Sequence, residues 1–257
     1  MSAEFLYQGN RIIYDLSGEG VPIVFIHPPA MGRVVFRNQE LLNRHFKVIM
    51  PDLSGTGDSM GPEHMVTMKG YAEEVKALLE HLKIEKAVIC GYSAGGCVAQ
   101  EFVLRFPERS LGLILISGYS EVQSLGFKYE HIAGMYLVKK FPRFLCYVIA
   151  SAHTDDPAFR HDINQHMKKA NRNMWFGFYE QSLSYNSSNQ LQDITVPLLL
   201  MYGAKDFSNQ HLRTYEKLTN HQAVIIPKVA HQLPTKQSQL VNQTIIGFIV
   251  NQIEKSH

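Results

Sequence analysis

Five residues constrain this chain more than any other stretch: Gly91-Tyr92-Ser93-Ala94-Gly95. The apolar run KAVIC (86–90) leads into them, and a segment of helical period that Pro107 stops follows. A G-x-S-x-G pattern alone arises by chance in about one chain in ten of this length. Its position between strand and helix gives it weight, because a sharp strand-to-helix turn lifts the serine above a sheet. A serine hydroxyl is a poor nucleophile unless it is exposed, rigid and set against a base. Glycines at both ends remove the Cβ atoms that would keep neighbouring elements from closing around it. The start of the helix favours a developing oxyanion, with the Ala94 N–H as the natural first donor. Ser93 is therefore the candidate nucleophile. The competing reading is a glycine-rich turn that happens to contain a serine.

Around this turn, short apolar runs alternate with longer helical patterns, the signature of a mostly parallel sheet covered on both faces. EFLY and RIIYDL, joined by residues 8–10, read as a hairpin. PIVFIH (22–27), a helix over about 34–44, KVIMPD (47–52) and an amphipathic helix over 71–82 follow. After LGLILIS (111–117) the rhythm stops. Residues 119–190 carry no strand signal but many aromatics, among them Tyr136, Phe141, Phe144, Tyr147, Trp175, Phe176, Phe178 and Tyr179. The rhythm resumes with VPLLLMYG (196–203), a helix near 209–219, AVIIP (223–227) and a last helix near 235–253. Residues 1–118 and 191–257 thus read as one core, interrupted by a helical insertion at 119–190. Such insertions at strand ends are where substrate-selecting lids are placed; if this one selects substrate, Trp175 and Phe176 are the residues to test, although cap aromatics more often read as plain core.

The chain has 257 residues and a formal net charge of +2, with its Lys and Arg scattered. No basic block offers a phosphate footprint, so a nucleic-acid partner is not expected. The longest apolar runs are too short to span a bilayer, and no signal peptide is visible, so a membrane partner is not expected either. Cys90, Cys97 and Cys146 show no metal-ligand spacing and read as reduced thiols of a cytoplasmic protein.

The landmarks FIHPPAMG (25–32), PDLSGTGDS (51–59), GYSAGG (91–96), YGAKD (202–206) and VAHQLP (229–234) together resemble the α/β-hydrolase family, in its branch of small esterases, lactonases and cofactor-free haloperoxidases. The resemblance spans nearly the whole chain. It implies an α/β fold with an eight-stranded, mostly parallel sheet flanked by helices, an antiparallel second strand and a helical cap after strand six. It also implies the order nucleophile, acid, histidine.

His231, in the loop after the last strand, fits as the base; His221 precedes that strand, and His153, His161 and His166 lie in the insertion. Asp206 closes YGAKD and fits as the acid that orients the imidazole. Its alternative role is to cap the helix that follows. Some relatives place the acid after strand six, which makes Glu121 the fallback. Asp52 and Asp58 read as organisers of a turn. One departure stands out. The second oxyanion-hole donor of the family falls on Pro29, which has no N–H, so either Ala30 supplies the donor from a shifted loop or one is missing.

The expected function is hydrolysis of a carboxylic ester, lactone or thioester through an acyl-enzyme on Ser93, without metal or organic cofactor. The expected substrate is a small molecule with an apolar portion. A carbon–carbon hydrolase or lyase using the same three residues, and a non-catalytic small-molecule receptor or signalling partner, are the alternatives.

Overall fold

The computed structural model describes residues 2–61, 66–216, 218 and 220–256. Eight strands form one sheet: β1 (Ser2–Tyr7), β2 (Asn10–Ser17), β3 (Pro22–Ile26), β4 (Lys47–Pro51), β5 (Ala87–Tyr92), β6 (Ser110–Ile116), β7 (Leu198–Gly203) and β8 (His221–Ile226). Their order is β1-β2-β4-β3-β5-β6-β7-β8. β2 pairs antiparallel with β1 and with β4, and every later pairing is parallel. The implied sheet, with its antiparallel second strand, is present.

Alternation along the strands builds two cores. Val24, Ile26, Ile89, Leu113 and Leu200 face helices α1 (Met68–His81) and α2 (Gly95–Arg105), which bury Val75, Leu78, Leu79, Val98 and Phe102. Ile23, Phe25, Val88, Cys90, Ile114 and Met201 face the opposite layer, where Val35, Phe36, Val241, Ile245 and Phe248 cover them. Central strands buried on both faces carry apolar residues on both, which is why β5, β6 and β7 read as near-continuous runs. Four helices stand between β6 and β7: α3 (Leu125–Lys140), α4 (Pro142–His153), α5 (Pro157–Met167) and α6 (Arg172–Ser184).

Three helix expectations shift. The segment after β3 is a 3-10 helix, Arg33–Arg44, kinked at Phe36. The helix expected near 209–219 is a 3-10 turn, Phe207–His211, and a single turn, α7 (Leu212–Tyr215); Lys217 and Thr219 lie outside the described residues. The last helix is two pieces, α8 (Leu233–Lys236) and α9 (Ser238–Gln252), divided at Gln237. His221 opens β8 rather than preceding it.

The loop after β4 is tied to the four-helix segment by charge. Arg33 bridges Asp15, Asp52 and Asp58, while His166 and Lys169 from the segment reach Asp52 at 2.9 Å and Asp58 at 2.7 Å. Asp52 also accepts the backbone N–H groups of Arg33 (2.7 Å) and Asp58 (2.9 Å), so it does organise a turn.

Behind the same loop, buried Glu74 accepts the Ser54 N–H at 2.9 Å and the Ser54 hydroxyl. Burial pushes its carboxyl up to about 7 against those two donors. A carboxyl raised by folding holds its proton more tightly in the native chain. Its contribution to stability is therefore complete below the ordinary carboxylate range and is lost as pH rises through about 7. Urea unfolding of Glu74→Gln across that window should show a flatter pH profile than the parent chain.

Candidate active site

Ser93 stands at the end of β5 with φ 53°, in the left-handed region. That conformation costs a residue with a side chain about 1–2 kcal/mol. The turn is fixed from both sides: the Ser93 N–H donates to the Ile116 carbonyl at 2.8 Å, and the Gly96 N–H to the Ser93 carbonyl at 2.8 Å. A Cβ on Gly95 would collide with the carbonyls of Ile26 and His27, and one on Gly91 would lie 2.6 Å from the Gly95 oxygen. The two glycines let β5, α2 and the end of β3 meet at the serine.

His231 lies in the loop between β8 and α8, its Nε2 2.8 Å from Ser93 Oγ and its Nδ1 3.1 Å from Asp206 Oδ2. Asp206 follows β7 and is buried. Its Oδ2 also accepts the Ser117 hydroxyl at 2.7 Å, and its Oδ1 accepts the Ser208 N–H at 2.9 Å. Burial opposes its charge, but the bond from His231, the nearby imidazole and the Ser117 and Ser208 donors prevail and hold it down at about 2. Asp206 thus caps the Phe207–His211 turn and holds the imidazole at once. Glu121 instead accepts from Gln123, Asn186 and Ser188, and makes no bond to His231. With a carboxylate on Nδ1–H, the imidazole presents Nε2 as an acceptor to the serine hydroxyl. This arrangement can draw the proton from Ser93 as its oxygen attacks an electrophile.

A cavity of about 330 Å³ opens over Ser93. Pro28, Pro29 and Ala94 line it from the core, and Phe127, Val148 and Tyr179 from the four-helix segment. His131 donates from Nδ1 to the Phe127 carbonyl at 2.9 Å and accepts the Tyr119 hydroxyl at 3.0 Å, and burial lowers its pKa. Both ring nitrogens of His131 are thus engaged within that wall. Glu130 also lines the cavity, without an ion pair among the described residues. Partial burial raises its carboxyl, opposed by His231 and reinforced by Asp206.

The two candidate oxyanion positions differ in what they offer. The Ala94 N–H makes no hydrogen bond among the described residues and adjoins Ser93 at the cavity, whereas Pro29 there offers a ring and no donor. Ala30 has φ 61° and an N–H that makes no hydrogen bond among the described residues, but it is buried and does not line the cavity. His27 fixes this loop: its Nδ1 donates to the Pro28 carbonyl at 2.8 Å, and its Nε2 accepts the Leu53 N–H at 2.9 Å.

The plain core reading of the cap aromatics fits Trp175, and neither it nor Phe176 lines the cavity. Trp175 is buried in the core, and Phe176 lies under the Lys139 ammonium, 3.9 Å from its ring centre. Of the insertion's aromatics named from sequence, Tyr179 reaches the cavity. Asp52, Asp58 and His166 are close enough to share a metal ion, but Arg33 and Lys169 already occupy those carboxylates.

Two functional contacts have no local sequence signal. The Tyr92 hydroxyl lies 3.0 Å from His153 Nε2 and 3.1 Å from the His231 carbonyl. His153 Nδ1 donates to the Ile149 carbonyl at 2.7 Å, so in the neutral ring Nε2 is an acceptor. Thr235 Oγ1 donates to the His153 carbonyl at 2.6 Å. The end of α4 is thus bonded to both the serine turn and the histidine loop.

A parallel sheet covered on both faces, with a serine elbow facing a histidine and a carboxylate at its strand ends, defines an α/β hydrolase architecture. A family model described as alpha/beta hydrolase fold matches residues 21–156, and the chain belongs to that family. It is 24% identical over 216 residues to a carboxylesterase of Bacillus subtilis, covering 81% of this chain and 73% of that one. An uncharacterized protein of Mycobacterium tuberculosis is 36% identical over 110 residues, 42% of this chain and 32% of the other, so the match spans about a third of that relative. Among solved structures, a thermophilic esterase of Thermogutta terrifontis superposes with a TM-score of 0.85 at 23% identity, covering 98% and 99% of the two chains.

Tyr92→Phe leaves His153 Nε2 and one bond to the His231 carbonyl without their donor. Unfolding in denaturant should show a loss of about 1–3 kcal/mol, the usual consequence of stranding a buried polar group.

Proposed function

We propose that the protein is a serine hydrolase that cleaves a carboxylic ester, lactone or thioester through an acyl-enzyme on Ser93. The observation that carries this reading is the continuous relay from Ser93 Oγ to His231 Nε2 at 2.8 Å and from His231 Nδ1 to Asp206 at 3.1 Å. Ser93 Oγ attacks the carbonyl carbon while its proton passes to His231 Nε2. The negative charge that develops on the carbonyl oxygen is met by the Ala94 N–H. As the intermediate collapses, His231 returns the proton to the leaving alkoxide or thiolate. Water then attacks the acyl carbon with His231 as base, and Ser93 is regenerated. Asp206 stays ionised throughout and stabilises the imidazolium, in keeping with a carboxyl held at about 2.

The cavity wall of Phe127, Val148 and Tyr179 favours a substrate with an apolar portion. Residues 119–190 serve as the cap over a core of 1–118 and 191–257. Three unpaired, buried thiols suit a reducing compartment, and we assign the protein to the cytoplasm. Among the described residues no helix is long and apolar enough to cross a membrane.

A fluorophosphonate probe should label Ser93, and Ser93→Ala should abolish both labelling and turnover of a panel of esters of graded acyl length. Labelling of another serine, with activity intact in Ser93→Ala, would refute the assignment. His231→Ala and Asp206→Asn should each lower turnover roughly 10⁴-fold or more, and the losses should not add, because the three groups act as one unit.

The proline at the second oxyanion position gives a separate test. Pro29→Gly restores an N–H in that register, and ester turnover should rise by as much as about 10²–10³-fold, the worth of one such donor. A fall in turnover would instead assign the second donor to the Ala30 N–H.

A further inference from the structure

Helix α3 carries two apolar stripes. Phe127, His131, Gly134 and Val138 form the buried one. Leu125, Tyr129, Ile132 and Tyr136 repeat the same spacing two positions earlier, about 200° around the helix, and all four are exposed. Helix α4 repeats the arrangement. Leu145, Cys146 and Ala150 are buried, while Phe144, Tyr147 and Val148 face solvent with Phe141 just before the helix. These eight side chains are between 41% and 72% exposed. The rings of Tyr136 and Phe141, 6.5 Å apart, join the two rows at the hairpin turn. Single exposed apolar residues are ordinary; rows along two consecutive helices mark a surface made to be covered.

Charge identifies what covers it. Residues 125–153 hold four cations, Lys128, Lys139, Lys140 and Arg143, against one acid, Glu130: net +3 in a chain whose total is +2. Lys128, Lys140 and Arg143 are exposed and make no ion pair among the described residues. The one acid lines the cavity. A second copy docked face to face would set +3 against +3. An anionic bilayer offers negative headgroups to the cations and an apolar boundary to the rings, and tyrosines sit well at that depth.

We propose that the α3–α4 hairpin docks reversibly on the surface of an anionic lipid bilayer. Docking sets the cavity mouth at the lipid boundary, because Val148 and exposed Phe207 also line the cavity. Resting on the proposed ester hydrolysis, the substrate class that this geometry serves is an amphiphilic acyl ester taken from the lipid phase.

The test is flotation of the full-length protein with phosphatidylcholine vesicles, with and without phosphatidylglycerol. It involves no substrate, so it stands apart from the chemistry at Ser93. Binding is expected only with phosphatidylglycerol, and should fall as salt shortens the screening length. Lys128→Gln/Lys140→Gln should weaken it on the order of tenfold to thirtyfold. Tyr129→Ser/Phe144→Ser should weaken it at least about tenfold, while circular dichroism and turnover of a short soluble ester stay unchanged. Equal binding to neutral vesicles, or none to anionic ones, would overturn the proposal. So would a dimer in solution that Tyr129→Ser dissociates, which would assign the surface to a second copy.

Discussion

The structure depends on one close approach. Where β5 turns into α2, the backbone of Gly95 lies against the carbonyls of Ile26 and His27, and Gly91 against Gly95 and Gly96. Contact this near brings the ends of β3, β5 and β6 together and holds Ser93 at φ 53° through its bond to Ile116. The sheet supplies the stiffness, since β5 is buried along its whole length between two layers of helices. The strained turn persists because its surroundings over-determine it. The histidine and the carboxylate then need only reach one fixed point from their own loops.

Much of this was legible in the residues. Strands buried on both faces announce themselves as apolar runs, and the turn between KAVIC and its helix names Ser93 directly. Asp206 was legible twice, as a partner for the imidazole and as a cap, and its two oxygens face different partners: Oδ1 the Ser208 N–H, Oδ2 His231 and Ser117. What stayed hidden has a physical pattern. Over a short amphipathic stretch a period of 3.0 is hard to tell from one of 3.6, so the sequence pattern places a helix at Arg33–Arg44 without giving its type. The residues alone do not say whether Trp175 and Phe176 line a pocket or fill the core, because an aromatic in a helix carries no label for the face it turns inward. Contacts such as Tyr92 with His153, separated by 61 residues, exist only once the chain has folded.

Charge and hydrogen bonding divide the work of holding the four-helix segment. Far from the serine, Arg33, Asp52, Asp58, His166 and Lys169 form one connected cluster, with Asp52 fully buried at its centre. Removing one partner from such a cluster leaves an uncompensated charge. Near the serine the ties are neutral: His131 to Tyr119, His153 to Tyr92, Thr235 to the His153 carbonyl. The imidazole of His231 is bonded to one carboxylate among the described residues, that of Asp206.

The Tyr92 hydroxyl has one proton and two acceptors at nearly equal distance, His153 Nε2 at 3.0 Å and the His231 carbonyl at 3.1 Å. The oxygen need not move for the proton to change allegiance; a rotation about the C–O bond is enough. As in ice, positional order of the heavy atoms coexists with a residual disorder of hydrogen. The satisfaction of the Tyr92 hydroxyl is therefore redundant. If thermal motion draws one acceptor away, the proton turns to the other, and the buried hydroxyl is satisfied in either state.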